Sequence, residues 1–231
     1  AEVQVTGDAL TTAQLASIQA LTSTKLSKVA AVSGTATQLA SANLVDTNLS
    51  ITKVTVSDAS ITMTQAKAIE GLKTSTTAGK YDYTLAVAKA DILSSDALIT
   101  TDSENNVVSK AKAVTVSDVI NVAEAGVLKA ANSASTYSVT DSATNLGVLA
   151  TTGTLSTTQT AQIAAINAAT VVKRSASQTV TVAQAAALKA VAGFDGVYTL
   201  SDTAAKLAAA DTALLTGAVQ VRVTDDATYA Q

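Results

Sequence analysis

The chain has 231 residues, a formal net charge of −3, and no Cys, His or Pro. These absences exclude disulfides, Cys/His zinc sites and the imidazole that serves most acid–base hydrolases near neutral pH. Hydrophobic residues make up 48%, enough for a core, but only 3% of the residues are aromatic, so Ala, Val, Leu and Ile must form that core. Small side chains suit thin, closely packed layers such as stacked repeats.

One short phrase occurs five times along the chain. It consists of an aliphatic residue, then Thr, Ser or Asn, two further residues, Gln or Glu, and Ile or Leu four places later. Ser or Thr followed three residues later by Gln or Glu is typical of a capping box, in which each side chain accepts the other residue's backbone N–H. The phrase therefore predicts helices that begin at five boxes: Thr11 with Gln14, Thr62 with Gln65, Asn121 with Glu124, Ser156 with Gln159, and Thr181 with Gln184.

Short runs in which apolar and polar residues alternate predict half-buried strands. In chain order these strands lie at residues 3–6, 54–58, 83–85, 114–118, 137–139 and 198–200. The strands that begin at Tyr137 and Tyr198 are followed by short helices, which we expect to be capped by Asp141 or Asp202 and the residue after it. Residues 74–80, 101–110 and 171–178 are predicted to be loops or degenerate coils.

The spacing of aspartates at the predicted strand ends indicates the period of the repeat. Asp58 and Asp118 are 60 residues apart and Asp141 and Asp202 are 61 apart, whereas Asp118 to Asp141 and Asp202 to Asp225 are both 23. The chain therefore alternates two kinds of strand–helix coil. Because residues 3–6 and 221–225 also match the repeat, we expect residues 1–231 to be a single repeat domain within a longer array.

These units predict an α/β fold. A single strand and helix of this size cannot bury an apolar face, but stacked copies cover one another. We therefore expect a short solenoid of stacked strand–helix repeats, with a parallel sheet on one side and helices on the other. The alternative is a compact doubly wound α/β fold, which needs longer and more continuously apolar strands than this sequence has.

Acidic residues are the candidate metal ligands. Ca²⁺ takes six to eight oxygen ligands, and the candidates for it are Asp102 and Glu104 in one polar cluster and Asp225 and Asp226 at a strand end. The alternative, which capping preferences favour, is that strand-end aspartates are turn or helix-cap residues. The glycine-rich Ca²⁺ nonapeptide and the EF-hand loop are both absent from the sequence.

Three tyrosines are the candidate binding residues. Tyr83, Tyr137 and Tyr198 recur at predicted strands, so they could form a ladder along the stack that binds a sugar by stacking. The alternative, and the commoner role of recurrent aromatic residues, is packing in the core or at its edge.

Several function classes lack their residues. Without His, a Ser–His–Asp triad cannot form, and the sequence has no phosphate loop, so we expect no enzyme. An acidic chain whose only adjacent basic pair is Lys173 and Arg174 indicates no nucleic-acid binder. The sequence has no apolar run of about 18 residues, so we expect no membrane span.

Three phrases resemble repeats of very large secreted bacterial surface proteins. They are Val180-Thr181-Val182-Ala183-Gln184-Ala185, Tyr198-Thr199-Leu200-Ser201-Asp202-Thr203-Ala204-Ala205 and Val223-Thr224-Asp225. Similar Ala/Thr/Val-rich arrays occur in adhesin-like and surface-layer-like proteins, notably of cyanobacteria and alphaproteobacteria. The resemblance implies an extracellular or cell-surface location and a structural or adhesive role, and it brings no catalytic residues.

We therefore expect a structural segment that works by self-assembly, by contact with neighbouring repeats, or as a rigid spacer, in a surface layer, a filament or an adhesin stalk. Two alternatives stay open. One is a module that binds a surface glycan or another protein, and the other is a virion appendage or decoration protein.

Overall fold

The computed structural model describes residues 9–20, 31–41, 54–70, 81–99, 107–175 and 178–225. It is a mixed α/β structure with parallel sheets and helices, as the sequence predicts at this level. The chain divides into two compact units, Ala1–Ser117 with Ala131–Ser135, and Asp118–Ala130 with Thr136–Gln231. The single repeat domain over residues 1–231 stays a prediction.

The first unit alternates short strands with helices. In chain order its elements are β1 (Leu10–Thr11), α1 (Thr12–Gln19), β2 (Val32–Gly34), α2 (Ala36–Ser41), β3 (Val54–Val56), α3 (Met63–Glu70), β4 (Tyr81–Asp82), β5 (Thr84–Val87), α4 (Lys89–Ile92), β6 (Leu93–Ser94), β7 (Ala97–Leu98) and most of β8 (Ala113–Ile120).

The second unit has the same alternation with longer helices. Its elements are α5 (Val122–Ala131, all but its last residue), β9 (Thr136–Asp141), α6 (Ala143–Leu146), a 3₁₀ turn (Gly147–Ala150), α7 (Thr157–Ala168), β10 (Val171–Arg174), β11 (Thr179–Val180), α8 (Val182–Lys189), β12 (Tyr198–Asp202), α9 (Ala204–Ala208), α10 (Thr212–Thr216) and β13 (Ala218–Val223).

Strands pair in the order in which the chain makes them. In the first unit β1, β2, β3 and β4 lie side by side and parallel, and Leu10 aligns with Val32, which aligns with Val54. In the second unit β11, β12 and β13 do the same, and Leu200 lies between Val180 and Val221. Equivalent residues are thus 20 to 22 residues apart, and each strand returns beside its predecessor after one helical connection.

The capping boxes explain where the helices begin. Thr181 Oγ1 accepts the N–H of Gln184 at 3.2 Å, while Gln184 Oε1 accepts the N–H of Thr181 at 3.0 Å. The same reciprocal pair of bonds forms at all four other predicted boxes, so that prediction is confirmed. A sixth box, outside the five-copy phrase, joins Thr35 and Gln38 before α2.

The helices bury a small and a large residue three positions apart. Ala185 and Leu188 in α8 are less than 2% exposed, and so are Ala66 with Ile69 in α3. Residues three apart lie on one helix face, and an Ala on that face lets the helix backbone approach its neighbours closely. The fold can therefore pack tightly with few aromatic side chains.

Two sequence predictions need correction. Residues 171–178 were expected to be a loop or a degenerate coil, but β10 occupies their first half and pairs in parallel with β9, where Val172 is fully buried beside Val139. This strand has no terminal Asp, so the strand-end signal did not mark it. The strand predicted to end at Asp118 continues to Ile120, because Ile120 is buried and the capping box begins only at Asn121.

The other predicted irregular segments are only partly described. Residues 107–110 are helical, which corrects the end of the segment predicted at 101–110. Residues 3–6, 74–80 and 101–106 lie outside the described residues.

Replacing Thr181 with Ala is expected to destabilise the fold by about 1 kcal/mol, because the N–H of Gln184 loses its acceptor while the helix is otherwise unchanged. Urea unfolding at neutral pH measures the change. Thr181→Ser keeps the hydroxyl and is expected to stay close to the wild type. Equal stability of the Ala and Ser variants would contradict the capping role.

Candidate functional site

Four strand-end aspartates reach across to a helix of the preceding coil. We call Asp58, Asp141, Asp202 and Asp225 the junction aspartates. In each case a carboxylate oxygen accepts the backbone N–H of the first residue of a helix 19 to 22 positions earlier in the chain. The four bonds run from Ala36 to Asp58 (2.6 Å), Val122 to Asp141 (2.8 Å), Val182 to Asp202 (3.1 Å) and Ala204 to Asp225 (2.7 Å).

This contact completes the start of each helix. The first four N–H groups of a helix have no partner within the helix itself. At α8 the capping box accounts for the N–H of Gln184, and Asp202 of the next coil accepts that of Val182. A carboxylate at this position also interacts favourably with the positive end of the helix dipole. The helix start is therefore built partly from its own residues and partly from the following coil.

Asp141 and Asp202 hold their two oxygens in different coils. In Asp202, Oδ2 accepts from Val182, while Oδ1 accepts the N–H of Thr203 at 2.9 Å and lies 3.3 Å from Lys206 Nζ. In Asp141, Oδ1 accepts from the N–H of Ser142 and from the amide of Asn145. Both residues are less than 10% exposed. Each carboxylate therefore ties its own coil to the preceding helix.

This geometry corrects the expected capping of the short helices. Ser142 alone accepts the N–H of Asn145 at the start of α6, and Thr203 alone accepts that of Lys206 at the start of α9. The aspartate before each of them accepts instead from the helix of the preceding coil. Their sequence position predicted a cap, but the capped helix depends on which strands pair, and no local pattern contains that information.

The pKa of Asp202 reflects competing effects. Burial raises it, but the hydrogen bonds from Thr203 and Val182 and the charge of Lys206 outweigh burial, so the pKa is lowered overall. The folded protein therefore favours the ionised carboxylate that accepts these bonds.

An amide can take the place of the carboxylate. At the start of α6 the N–H of Ala143 donates to Gln178 Oε1 at 2.6 Å, which is the same position in the helix as at the four aspartate junctions. The required property at a junction is thus an acceptor oxygen at the right place, and the negative charge is an addition to it.

The three candidate tyrosines are core residues in this structure. Tyr83, Tyr137 and Tyr198 are at most 2% exposed, and their hydroxyls donate to the backbone carbonyls of Val107, Ala165 and Leu214 at 2.9 to 3.0 Å. Burial raises the pKa of Tyr137 to about 12 and also raises that of Tyr198. The rings occupy the packing role, and none of the three presents an open face on which a sugar could stack.

The Ca²⁺ candidates are not brought together in the described structure. Asp102, Glu104 and Asp226 lie outside the described residues, and Oδ1 of Asp225 accepts the N–H of Ala204. Among the residues that the structure describes, no group of three or more acidic side chains is placed to hold a metal ion.

One open groove of about 430 Å³ lies within the second unit. Its lining is amide and hydroxyl groups with a little apolar surface, from Thr144, Asn145, Gly147, Val148, Thr151, Gln159, Gln162 and Gln184. None of these side chains ionises near neutral pH, so the groove itself offers neither an acid nor a base.

Comparison with known proteins finds no matching family model, no similar curated protein and no similar solved structure. Within the described ranges, none of the helices has the length and apolar character required to cross a membrane.

The stability of the wild type is expected to fall as the pH drops from about 5 towards 3, partly through Asp202. Its folded-state pKa is below the unfolded value of about 3.9, so its contribution is complete above that value and is lost as the pH falls through the folded one. Urea unfolding across this range is expected to show a shallower fall for Asp202→Asn. The control Asp195→Asn alters an exposed carboxylate and should keep the wild-type slope; parallel curves for all three proteins would contradict the assignment.

Proposed function

We propose that this chain is a structural repeat segment of an extracellular bacterial surface protein. Its strand–helix coils stack into a solenoid, and the segment works by self-assembly or as a rigid spacer. The observation that carries the proposal is the junction aspartate, because it makes each coil supply an acceptor that the preceding helix lacks. A coil of this kind is complete only when another coil follows it.

The order of the strands supports stacking. In a doubly wound sheet the strand order reverses at a switch point, so that neighbours are often distant in the chain. Here β1 to β4 and β11 to β13 are parallel and follow chain order, with equivalent residues 20 to 22 positions apart where the coils are most regular. Successive addition of similar coils accounts for both features.

The use of polar side chains supports a structural role. Junction carboxylates accept backbone N–H groups, and the hydroxyls of Tyr83, Tyr137 and Tyr198 donate to backbone carbonyls. Catalytic sites instead direct titratable groups towards a cleft where a substrate can reach them. The resemblance of the repeat phrases to bacterial surface arrays supports the location outside the cell.

Small-angle X-ray scattering of the whole chain tests the stacked arrangement. A compact chain of 231 residues has a radius of gyration of roughly 17 Å. We expect a clearly larger value and an elongated distance distribution, measured at the lowest usable concentration so that association does not contribute. A value near the compact one would reject the solenoid and the spacer function with it.

A further inference from the structure

The strand β13 carries an uncovered row of valines. Val219, Val221 and Val223 are 70%, 43% and 51% exposed, whereas Leu200, the register neighbour of Val221 in β12, is fully buried. Of the strands that the structure describes, β12 alone pairs with β13, which lies at the end of its sheet. An exposed, apolar edge strand of this kind is a template for pairing with another chain.

The free edge also has its backbone groups directed outward. The N–H of Thr224 donates to the carbonyl of Asp202, so even-numbered residues of β13 direct their backbone groups towards β12. Because these groups alternate sides along a strand, the N–H and C=O groups of Val219, Val221 and Val223 point away from β12. The residues with exposed apolar side chains are thus the ones that can bond to an added strand.

We infer that two copies of this chain associate through their β13 strands, antiparallel and about a two-fold axis at Val221. The occupant of the edge is a second copy because the segment Val219-Gln220-Val221-Arg222-Val223 is symmetric in its apolar and polar positions about its centre. The two-fold pairs Val221 with Val221, Val219 with Val223, and Gln220 with Arg222. A two-fold contact of this kind is isologous and closes on itself as a dimer.

The outward backbone groups and the charges select this register. Hydrogen-bonded pairs in an antiparallel ladder must join odd-numbered residues of both strands. A two-fold at Arg222 would place two like charges directly opposite each other, which is destabilising. A two-fold at Gln220 would leave one outward valine of each strand without a valine partner. The axis at Val221 uses all three valines and places each arginine opposite a glutamine.

This inference rests on the proposed function, since it names the surface through which the segment self-assembles. It also depends on an observation of its own, the exposure and backbone direction of β13, so it can fail separately. An elongated chain that remains monomeric would reject the dimer and leave the spacer function standing.

Cysteine cross-linking tests the register, because the chain has no cysteine of its own. Directly opposed residues of a hydrogen-bonded pair have Cα atoms about 5.5 Å apart, which is within disulfide range. In a glutathione redox buffer, Val221→Cys is expected to form a disulfide-linked dimer. Val219→Cys alone should not, since two copies of it would lie roughly 13 Å apart. An equimolar mixture of Val219→Cys and Val223→Cys should form the mixed dimer.

Val119→Cys is the matched control, because this valine is 53% exposed and is not in β13. Sedimentation of the unmodified chain from roughly 1 to 200 µM is expected to show a dimer that Val221→Lys abolishes and Val119→Lys keeps. A monomer throughout that range, or equal cross-linking at positions 119, 219 and 221, would overturn the inference.

Discussion

The structure depends on how the N–H groups at the start of each helix find acceptors. Short helices have a large share of their backbone donors in the first turn, where the helix cannot bond them itself. This chain meets the need from two sources, a capping box within the helix and a junction aspartate from the following coil. The second source converts a local requirement of one helix into a contact between coils, and so links secondary structure to the order of the repeats.

That link suits a chain with little aromatic surface. Hydrogen bonds to charged groups are worth about 1.5 to 3 kcal/mol, so each junction adds a directional contribution to the burial of Ala, Val and Leu between coils. It also specifies register, because a strand displaced by one residue would move its Asp away from the helix that it caps. The side chains that another protein would use for chemistry, its aspartates and tyrosines, here bond to the backbone.

The sequence predicts the local parts of this arrangement well and the non-local parts poorly. The capping boxes were predictable because four consecutive residues contain all the information, and the alternation in 54–56 and 137–139 was sufficient for strands. The partner of Asp202 was not, because it lies 20 residues away and depends on strand pairing. The strand β10 was missed because Val171 to Arg174 lacks the terminal Asp, although burial of Val172 makes it part of the sheet. The tyrosines could be placed on strands, but their burial follows from the helices and connections that supply their carbonyl partners.

Amide hydrogen exchange in Asp202→Ala tests the central claim most directly. If Asp202 is the acceptor for the preceding helix, protection of the Val182 N–H should fall by roughly tenfold or more, equivalent to about 1.4 kcal/mol. The Gln184 N–H, which is held by Thr181 within the same helix, should keep its protection and serves as the internal reference. An unchanged Val182, or an equal loss of protection along the whole of α8, would contradict the account.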